Sequence, residues 1–430
     1  MKTNIQKYTA YKDSGVEWLG EIPKDWKSER LASILNNVAE RNRTDLPLLS
    51  ITREKGVILR DMDNEEENHN FIPDDLSNYK VLRKGQFGMN KMKAWQGSYG
   101  ISEQDGIVSP AYFIFQLRED IDSRYFHLAI RSRLYISFFG SASDGVRIGQ
   151  WDLSRDRMKN IQFLIPPLPE QTTIAAFLDR KTTLIDQAIG IKQKQIELLK
   201  ERRQILIHNA VTRGLNPNVK LKDSGVEWIG EIPEHWEVRR IKTLTRVKRG
   251  ASPRPIDDPR YFNDNGEFAW VRIADVSSND HYLINTVQKL SKLGSSLSVK
   301  ILPNELFISI AGTVGKPMIS KIKCCIHDGF VYFPDLKMNL EYMYRIFETG
   351  QPYLGLGKHG TQLNLNTETI GNIYIPLPPA NIQNEIVCEV NNISIKFANA
   401  ISLKEQEIEK LKEYKATLIN SAVTGKIKVS

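Results

Sequence analysis

The chain is written twice, and only a fold that can be built from two copies of one frame can accommodate it. Residues 12–26 read KDSGVEWLGEIPKDW and residues 222–236 read KDSGVEWIGEIPEHW, with twelve of fifteen positions identical. Unrelated sequence would give about one match. Farther on, IPPLP at 165–169 answers IPLPP at 375–379. Beyond these, KQKQIELLKERRQILIHNAVT (192–212) aligns with KEQEIEKLKEYKATLINSAVT (404–424) at eleven of twenty-one positions. Each half therefore has a short opening motif, a long body and a proline hinge that leads into a charged segment. The bodies, about 27–164 and 237–374, align poorly. Two copies that share a frame and hold unlike contents suit a molecule that grips two different things with one geometry.

The segments after the prolines read as long helices. In the first, Phe177, Leu184, Ile191, Leu198 and Ile205 recur every seven residues, and Leu178, Ile185, Leu199 and Leu206 widen the stripe. In the second, Ile386, Val390, Ile393, Phe397, Ala400, Leu411, Tyr414 and Leu418 alternate three and four apart, interrupted by Lys404 and Glu407. Sustained heptads with charged flanks predict a coiled coil. The expected interface is Phe177, Leu184, Ile191, Leu198, Ile205, Val390, Phe397, Leu411 and Leu418. Proline before each helix and Gly214 or Gly425 after it mark the ends. A helix from about 170 to 213 would span roughly 66 Å, longer than a small domain requires.

The bodies read as mixed α/β. Residues 48–59, 107–117 and 305–310 carry the β-branched and aromatic enrichment of strands, and 122–139 and 339–349 read as helical. Glycine turns lie at 96–100, 143–149, 311–316 and 355–360. Basic, amide and aromatic side chains gather near them: Lys91, Lys93, Gln96, Tyr99, Arg147, Gln150, Lys316, Lys358, His359 and Gln362. Side chains of these types on loops suit phosphate and base-edge contacts, which makes them candidate DNA-binding residues.

Charge is consistent with a polyanionic partner, at 59 Lys+Arg against 51 Asp+Glu over 430 residues, without demanding one. No apolar run approaches the roughly 20 residues of a membrane span. The opening MKTNIQKYTAYKD lacks the apolar stretch of a signal peptide, so a cytoplasmic location is expected. Three cysteines, two of them adjacent at 324 and 325, exclude a disulfide scaffold and a four-cysteine zinc site. With no HxxxH pair, no metal is expected.

Catalytic motifs are missing where an enzyme would need them. IAGTVGKP at 310–317 has Ile310 and Pro317 where a phosphate-binding loop needs Gly and Ser or Thr. Gly355, Gly357 and Gly360 form GxGxxG, but a helix is expected before it rather than the strand a dinucleotide fold requires. There is no NPPY-like tetrapeptide, GxSxG or HExxH. Pro73-Asp74 lacks the spaced acidic and lysine partners of a nuclease centre, and the acidic run at 61–67 reads as a solvated loop. The expectation is a two-headed, non-catalytic binder on a helical frame.

These features resemble the specificity subunits (HsdS) of type I restriction-modification systems. The resemblance rests on the duplicated DSGVEWxGEIP element, IPPLPEQ (165–171) entering a long helix, the AVT endings at 210–212 and 422–424, and the QGSYG, DGIVSPAY and GTVGK stretches. It departs at the second hinge, IPLPPANIQNEI, where Gln383 would take the place of the usual acidic-Gln pair. The resemblance implies an α/β (α+β) chain with two target-recognition domains, each reading one half of a bipartite asymmetric DNA site. Two helices would form an antiparallel coiled coil with a pseudo-twofold repeat. The implied division is a first recognition domain at 1–165, a spacer helix at 166–214, a second domain at 215–375 and a second helix at 376–430. The helices would set the spacer and dock two methyltransferase (HsdM) subunits, and restriction (HsdR) subunits would join them. S-adenosylmethionine would sit on the methyltransferase, ATP and Mg on the restriction partner, and no cofactor on this chain.

Overall fold

The repeated DSGV motif builds the same turn twice. The Asp13 carboxylate accepts the Gly15 amide at 3.0 Å and the Ser14 hydroxyl accepts the Val16 amide at 3.1 Å. Asp223 and Ser224 do the same for Gly225 and Val226, at 2.9 and 3.1 Å. Asp and Ser side chains bonding a backbone two residues on are the usual makers of such turns. Each turn closes a small hairpin, Tyr11–Asp13 on Glu21–Pro23 and Leu221–Asp223 on Glu231–Pro233, in matching register.

The computed structural model describes residues 6–17, 19–61, 72–145, 151–353, 356 and 365–429. It comprises two compact units, Met1–Gln193 with Glu405–Ser430, and Lys194–Lys404. The two cuts fall within one residue of equivalent places in the repeat.

In each unit the strand that enters the body pairs antiparallel with the strand that leaves it: Lys27–Arg30 with Gln162–Ile165, and Glu237–Arg240 with Tyr374–Leu377. Each body is thus closed at its base by its own two ends. Inside, the bodies differ. The first holds a four-stranded antiparallel sheet in the order Leu35–Asn37, Phe113–Leu117, Phe87–Met89, Tyr99–Ile101. Helices Ser123–Ile130 and Arg133–Ser141 cover it, and Phe87, Phe126, Tyr135, Phe139 and Phe163 fill its core. The second body holds a five-stranded sheet (Lys248–Arg249, Phe330–Tyr332, Leu306–Ser309, Pro317–Ser320, Tyr282–Leu283) and a four-stranded one (Gln288–Leu290, Phe268–Val271, Cys324–Ile326, Val299–Ile301). Each of these two sheets contains one parallel pair. Helix Leu340–Glu348 packs beside the five-stranded sheet.

The proline hinges lead into two long helices, Leu168–Arg213 and Ala380–Val423, here called the first and second struts. Each strut ends on a left-handed glycine, Gly214 at φ +75° and Gly425 at φ +70°, a conformation that costs glycine nothing. Space is tight at the first glycine and excludes any side chain at the second. A Cβ on Gly214 would stand 3.1 Å from the Trp236 ring, and one on Gly425 would stand 2.3 Å from Pro23. The strut ends therefore seat on the tryptophans and prolines of the duplicated motif. In the first unit a bridge between Gln6 and Lys428 adds to this seam.

The struts pair antiparallel within each unit. In the first, Asp186 meets Lys415 at 2.7 Å and Lys192 meets Glu407 at 2.8 Å, so one number falls as the other rises. In the second, Arg203 donates to Ser394 and to Glu348. Glu348 also accepts from the buried Arg345, which donates in turn to Asn391 at 2.5 Å. This ionic cluster ties helix Leu340–Glu348 to both struts.

The seam is not the heptad stripe expected from the sequence. Leu184, Ile191, Leu198 and Ile205 are exposed, at 54%, 59%, 54% and 43%. The buried isoleucines Ile174, Ile185, Ile196 and Ile207 are spaced by eleven, and Ala175, Leu178, Ala210 and Val211 are buried beside the end members of that row. The second strut repeats this at equivalent places, with Ile386 and Ile408 buried and Phe397 and Ile419 half-buried. Eleven residues in three turns is 3.67 per turn, close to an unstrained helix, whereas a seven-residue stripe drifts about 20° per heptad. Leu184 stands one residue, about 100°, around the helix from Ile185. Among the other expected interface residues, Val390 and Leu418 are buried, and Phe177, Phe397 and Leu411 are half-buried.

Candidate nucleic-acid interface

In the first head the candidate surface is built on the segment between two strands, Phe87–Met89 and Tyr99–Ile101. Asn90 starts the turn: its side chain accepts the Met92 amide, and its carbonyl accepts the Lys93 amide. A single 3-10 turn, Ala94–Gln96, follows and ends on the left-handed Gly97. Lys93 is exposed and Gln96 half-buried, while Lys91 is held by Asp152 at 2.9 Å. Across the turn, Trp95 packs on Trp151 with ring centres 5.0 Å apart. The Leu153 amide donates to the Lys91 carbonyl at 3.1 Å, which joins the turn to the segment Trp151–Leu153.

Two residues that sequence reasoning passed over fix this turn. The Arg131 guanidinium donates to four carbonyls: Gly97 at 3.2 Å, Tyr99 at 2.5 Å, Arg53 at 3.0 Å and Glu54 at 2.8 Å. It staples the 97–99 turn to the tip of the hairpin Leu49–Thr52, Gly56–Leu59. Burial pulls its pKa below the ordinary arginine value. Beside it, His127 Nδ1 accepts the Ile101 amide at 3.1 Å. Burial, with the charges of Arg131 and Arg124, lowers the His127 pKa to about 3, so this imidazole is neutral and carries its proton on Nε2. The sequence offered only a helical arginine and histidine four apart, a pattern that does not reveal carbonyl partners on distant loops.

Tyr99 is not at the surface. It is wholly buried, with its ring 4.7 Å from Phe139 and 5.9 Å from Phe87. It opens a short strand whose three residues are all buried, so its aromatic bulk serves the core. Arg147 and Gln150 lie outside the described residues, as do Lys358, His359 and Gln362.

In the second head Lys316 is half-buried and donates to the Asn279 carbonyl at 2.6 Å, which holds it against the end of helix Ile273–Ser278. Nearby, Ser277 and Thr313 hydroxyls meet at 2.8 Å. A second basic edge was not foreseen. Asp328 gathers Arg249 on its carbonyl at 2.5 Å, and Ser252 and Arg254 on its carboxylate, both at 3.1 Å. Among the described residues no group of three or more His, Cys, Asp or Glu could hold a metal ion. Cys324 and Cys325 are free and buried in a strand, and desolvation pushes both thiols up to about 12. No helix among the described residues is long and apolar enough to cross a membrane.

Comparison with known proteins matches both halves. The family described as the type I restriction modification DNA specificity domain covers residues 23–201 and again 233–413. The MjaVIII type I restriction enzyme specificity subunit of Methanocaldococcus jannaschii is 26% identical over 439 residues, covering 95% of this chain and 94% of that protein. The fold resembles a chain from a structure concerned with complex assembly and conformational transition of the type I R-M system. That match has a TM-score of 0.70 at 17% identity and covers 94% of this chain and 98% of the other. It also resembles the HsdS subunit from Thermoanaerobacter tengcongensis, with a TM-score of 0.54, 17% identity and the same coverage. With the duplicated frame, the two unlike bodies and the family match over both halves, this chain belongs to the type I restriction-modification DNA specificity family.

Proposed function

We propose that the chain is the DNA specificity subunit of a type I restriction-modification complex, in which each head reads one half of a split, asymmetric site. The observation that carries this reading is the contrast between frame and contents. The hairpins and hinge strands repeat in register and each strut ends on a left-handed glycine, while the sheets inside the heads differ in strand number and order. One frame presenting two different surfaces suits a duplex whose two half-sites differ in sequence.

The struts set the spacer between the half-sites and receive the partners. The exposed apolar residues Leu184, Ile191, Leu198 and Ile205 support this second role, because they recur every seven residues along one helix face outside the strut seam. A helix from a methyltransferase subunit, laid along that stripe, would bury it. S-adenosylmethionine and the adenine-methylating centre belong to those two subunits, and ATP and Mg to the restriction subunits that join them. This chain supplies recognition and geometry.

Calorimetry tests the division of labour. The chain alone should show no S-adenosylmethionine binding and no methylation, and adding the methyltransferase subunits should restore both. Micromolar cofactor binding by the chain alone would reverse the roles. DNA binding by the complex should weaken steeply with salt, as phosphate contacts require.

A further inference from the structure

Four cations of the first head gather around Tyr112 and Phe113. Lys80 Nζ donates to the Tyr112 carbonyl at 2.6 Å. The Arg155 guanidinium lies over the Phe113 ring, 5.8 Å from its centre. Arg41 faces Lys80 across an antiparallel bridge, so both side chains leave the same side of the backbone. Lys91 follows Asn90, whose amide donates to the Tyr112 hydroxyl at 3.2 Å. The four come from separate parts of the chain, and only Lys91 was singled out from the sequence.

Among the described residues, three of the four lack a carboxylate partner, unlike five other arginines of this head. Arg43 pairs with Asp45, Arg83 with Glu40 and Asp105, Arg118 with Glu29 and Asp120, Arg124 with Asp179, and Arg157 with Asp144. Among the described residues, Asp152 on Lys91 is the only carboxylate ion-paired to any of the four. Burial and the charges of Arg41, Arg155 and Lys91 pull the Lys80 pKa below the ordinary lysine value. Like charges held together on fixed supports, one on a carbonyl and one on a ring, are an anion site waiting for its anion.

We propose that Arg41, Lys80, Lys91 and Arg155 form a phosphate-binding patch that grips the DNA backbone beside the half-site read by the first head. The proposal rests on the DNA-specificity reading above. Its partner chemistry is a run of phosphodiesters. The patch supplies affinity and register, and sequence discrimination comes from elsewhere in the head.

The test uses the full chain in complex with its methyltransferase subunits and two duplexes, one carrying the site methylated by the wild-type complex and one of scrambled sequence. Arg41→Ala, Lys80→Met and Arg155→Ala should each lower the slope of log affinity against log salt by about one on both duplexes. The ratio of affinities for the two duplexes should stay constant. Arg155→Glu, at an exposed position that folding tolerates, should weaken both duplexes further. Arg83→Ala, whose charge is already neutralised by Glu40 and Asp105, should leave the slope unchanged. Unchanged slopes in all the patch variants would overturn the proposal while leaving the specificity reading intact. So would a loss of discrimination at one half-site, which would make these residues base readers. A wild-type complex that does not distinguish the two duplexes would bring down the specificity reading itself, before any variant is compared.

Discussion

Gln171 and Gln383 hold equivalent positions in the two halves and make the same bonds. Gln171 accepts the Asp122 amide at 2.8 Å and donates to the Pro166 carbonyl at 2.9 Å. Gln383 accepts the Asn339 amide at 2.8 Å and donates to the Pro378 carbonyl at 2.8 Å. Asp122 and Asn339 are the N-caps of the helices that pack on each sheet. One buried amide per half therefore fastens head to hinge. The halves part company one residue earlier. Glu170 binds the Tyr8 hydroxyl and the Trp26 indole, at 2.6 and 3.2 Å, while its counterpart Ile382 packs among apolar side chains. The second hinge thus keeps the glutamine and replaces the acid.

Removing either glutamine should loosen one head and spare the other. Gln171→Ala strands a buried amide and two carbonyls, since Gln171 also donates to Asp120 at 3.0 Å. The expected cost is about 2 kcal/mol or more to the first head. Hydrogen exchange should show lost protection in 123–130 and unchanged protection in 340–348, with the reverse for Gln383→Ala.

The neutral His127 gives the first head a pH dependence. Its folded value is about 3 against an ordinary 6.5, so between those values the unfolded chain binds more protons. Stability is then full above pH 6.5 and is lost as pH falls toward 3, by about 2 kcal/mol at pH 5. Exchange of the Ile101 amide, measured from pH 7 to 5, should report this loss, and His127→Gln should flatten it. An equal slope in the variant would assign the loss to other groups.

Strut variants separate the buried face from the exposed one. Ile196→Ala should cost about 2–4 kcal/mol through the cavity it leaves. Leu198→Ala, two residues on, should change the stability of the chain by less than about 0.5 kcal/mol. Leu198→Lys should nonetheless weaken association with the methyltransferase subunits, read by ultracentrifugation of the mixture. Similar destabilisation by both alanine variants would return the seam to the heptad stripe.

Glu348 is shared by Arg203 and Arg345 at 2.5 and 2.6 Å, with Arg345 buried. Glu348→Ala leaves that guanidinium without its carboxylate and should destabilise the second unit by about 3 kcal/mol. Limited proteolysis should then cut the second body first. Resistance equal to wild type would show that Asn391 alone satisfies Arg345.

The frame was legible in the sequence because its determinants are local and duplicated. The Asp-Ser-Gly turn, the proline hinge and the terminal glycine each act within a few residues, and the first strut, expected from about 170 to 213, runs from Leu168 to Arg213. The strut face was not legible, because apolar residues spaced by seven and by eleven fall on neighbouring faces of one helix. Only packing reveals that Ile185 is buried and Leu184 is not. Tyr99 misled because an aromatic in a glycine-rich stretch looks exposed, whereas a short inward-facing strand places it in the core. Arg131, Lys80 and Arg155 were invisible for the opposite reason: their partners are carbonyls and a ring brought near by tertiary folding.

Each head should read its half-site independently of the other. The paired strands Lys27–Arg30 and Gln162–Ile165 bring both ends of the first body to one place, so residues 27–164 can be exchanged for the first body of another family member at a single joint. Mapping methylated adenines in DNA from cells that carry the chimera with its methyltransferase subunits is the most direct measurement. The chimera should methylate a bipartite site with one half changed, and with the other half and the spacer length preserved. A site changed in both halves, or in neither, would contradict independent reading.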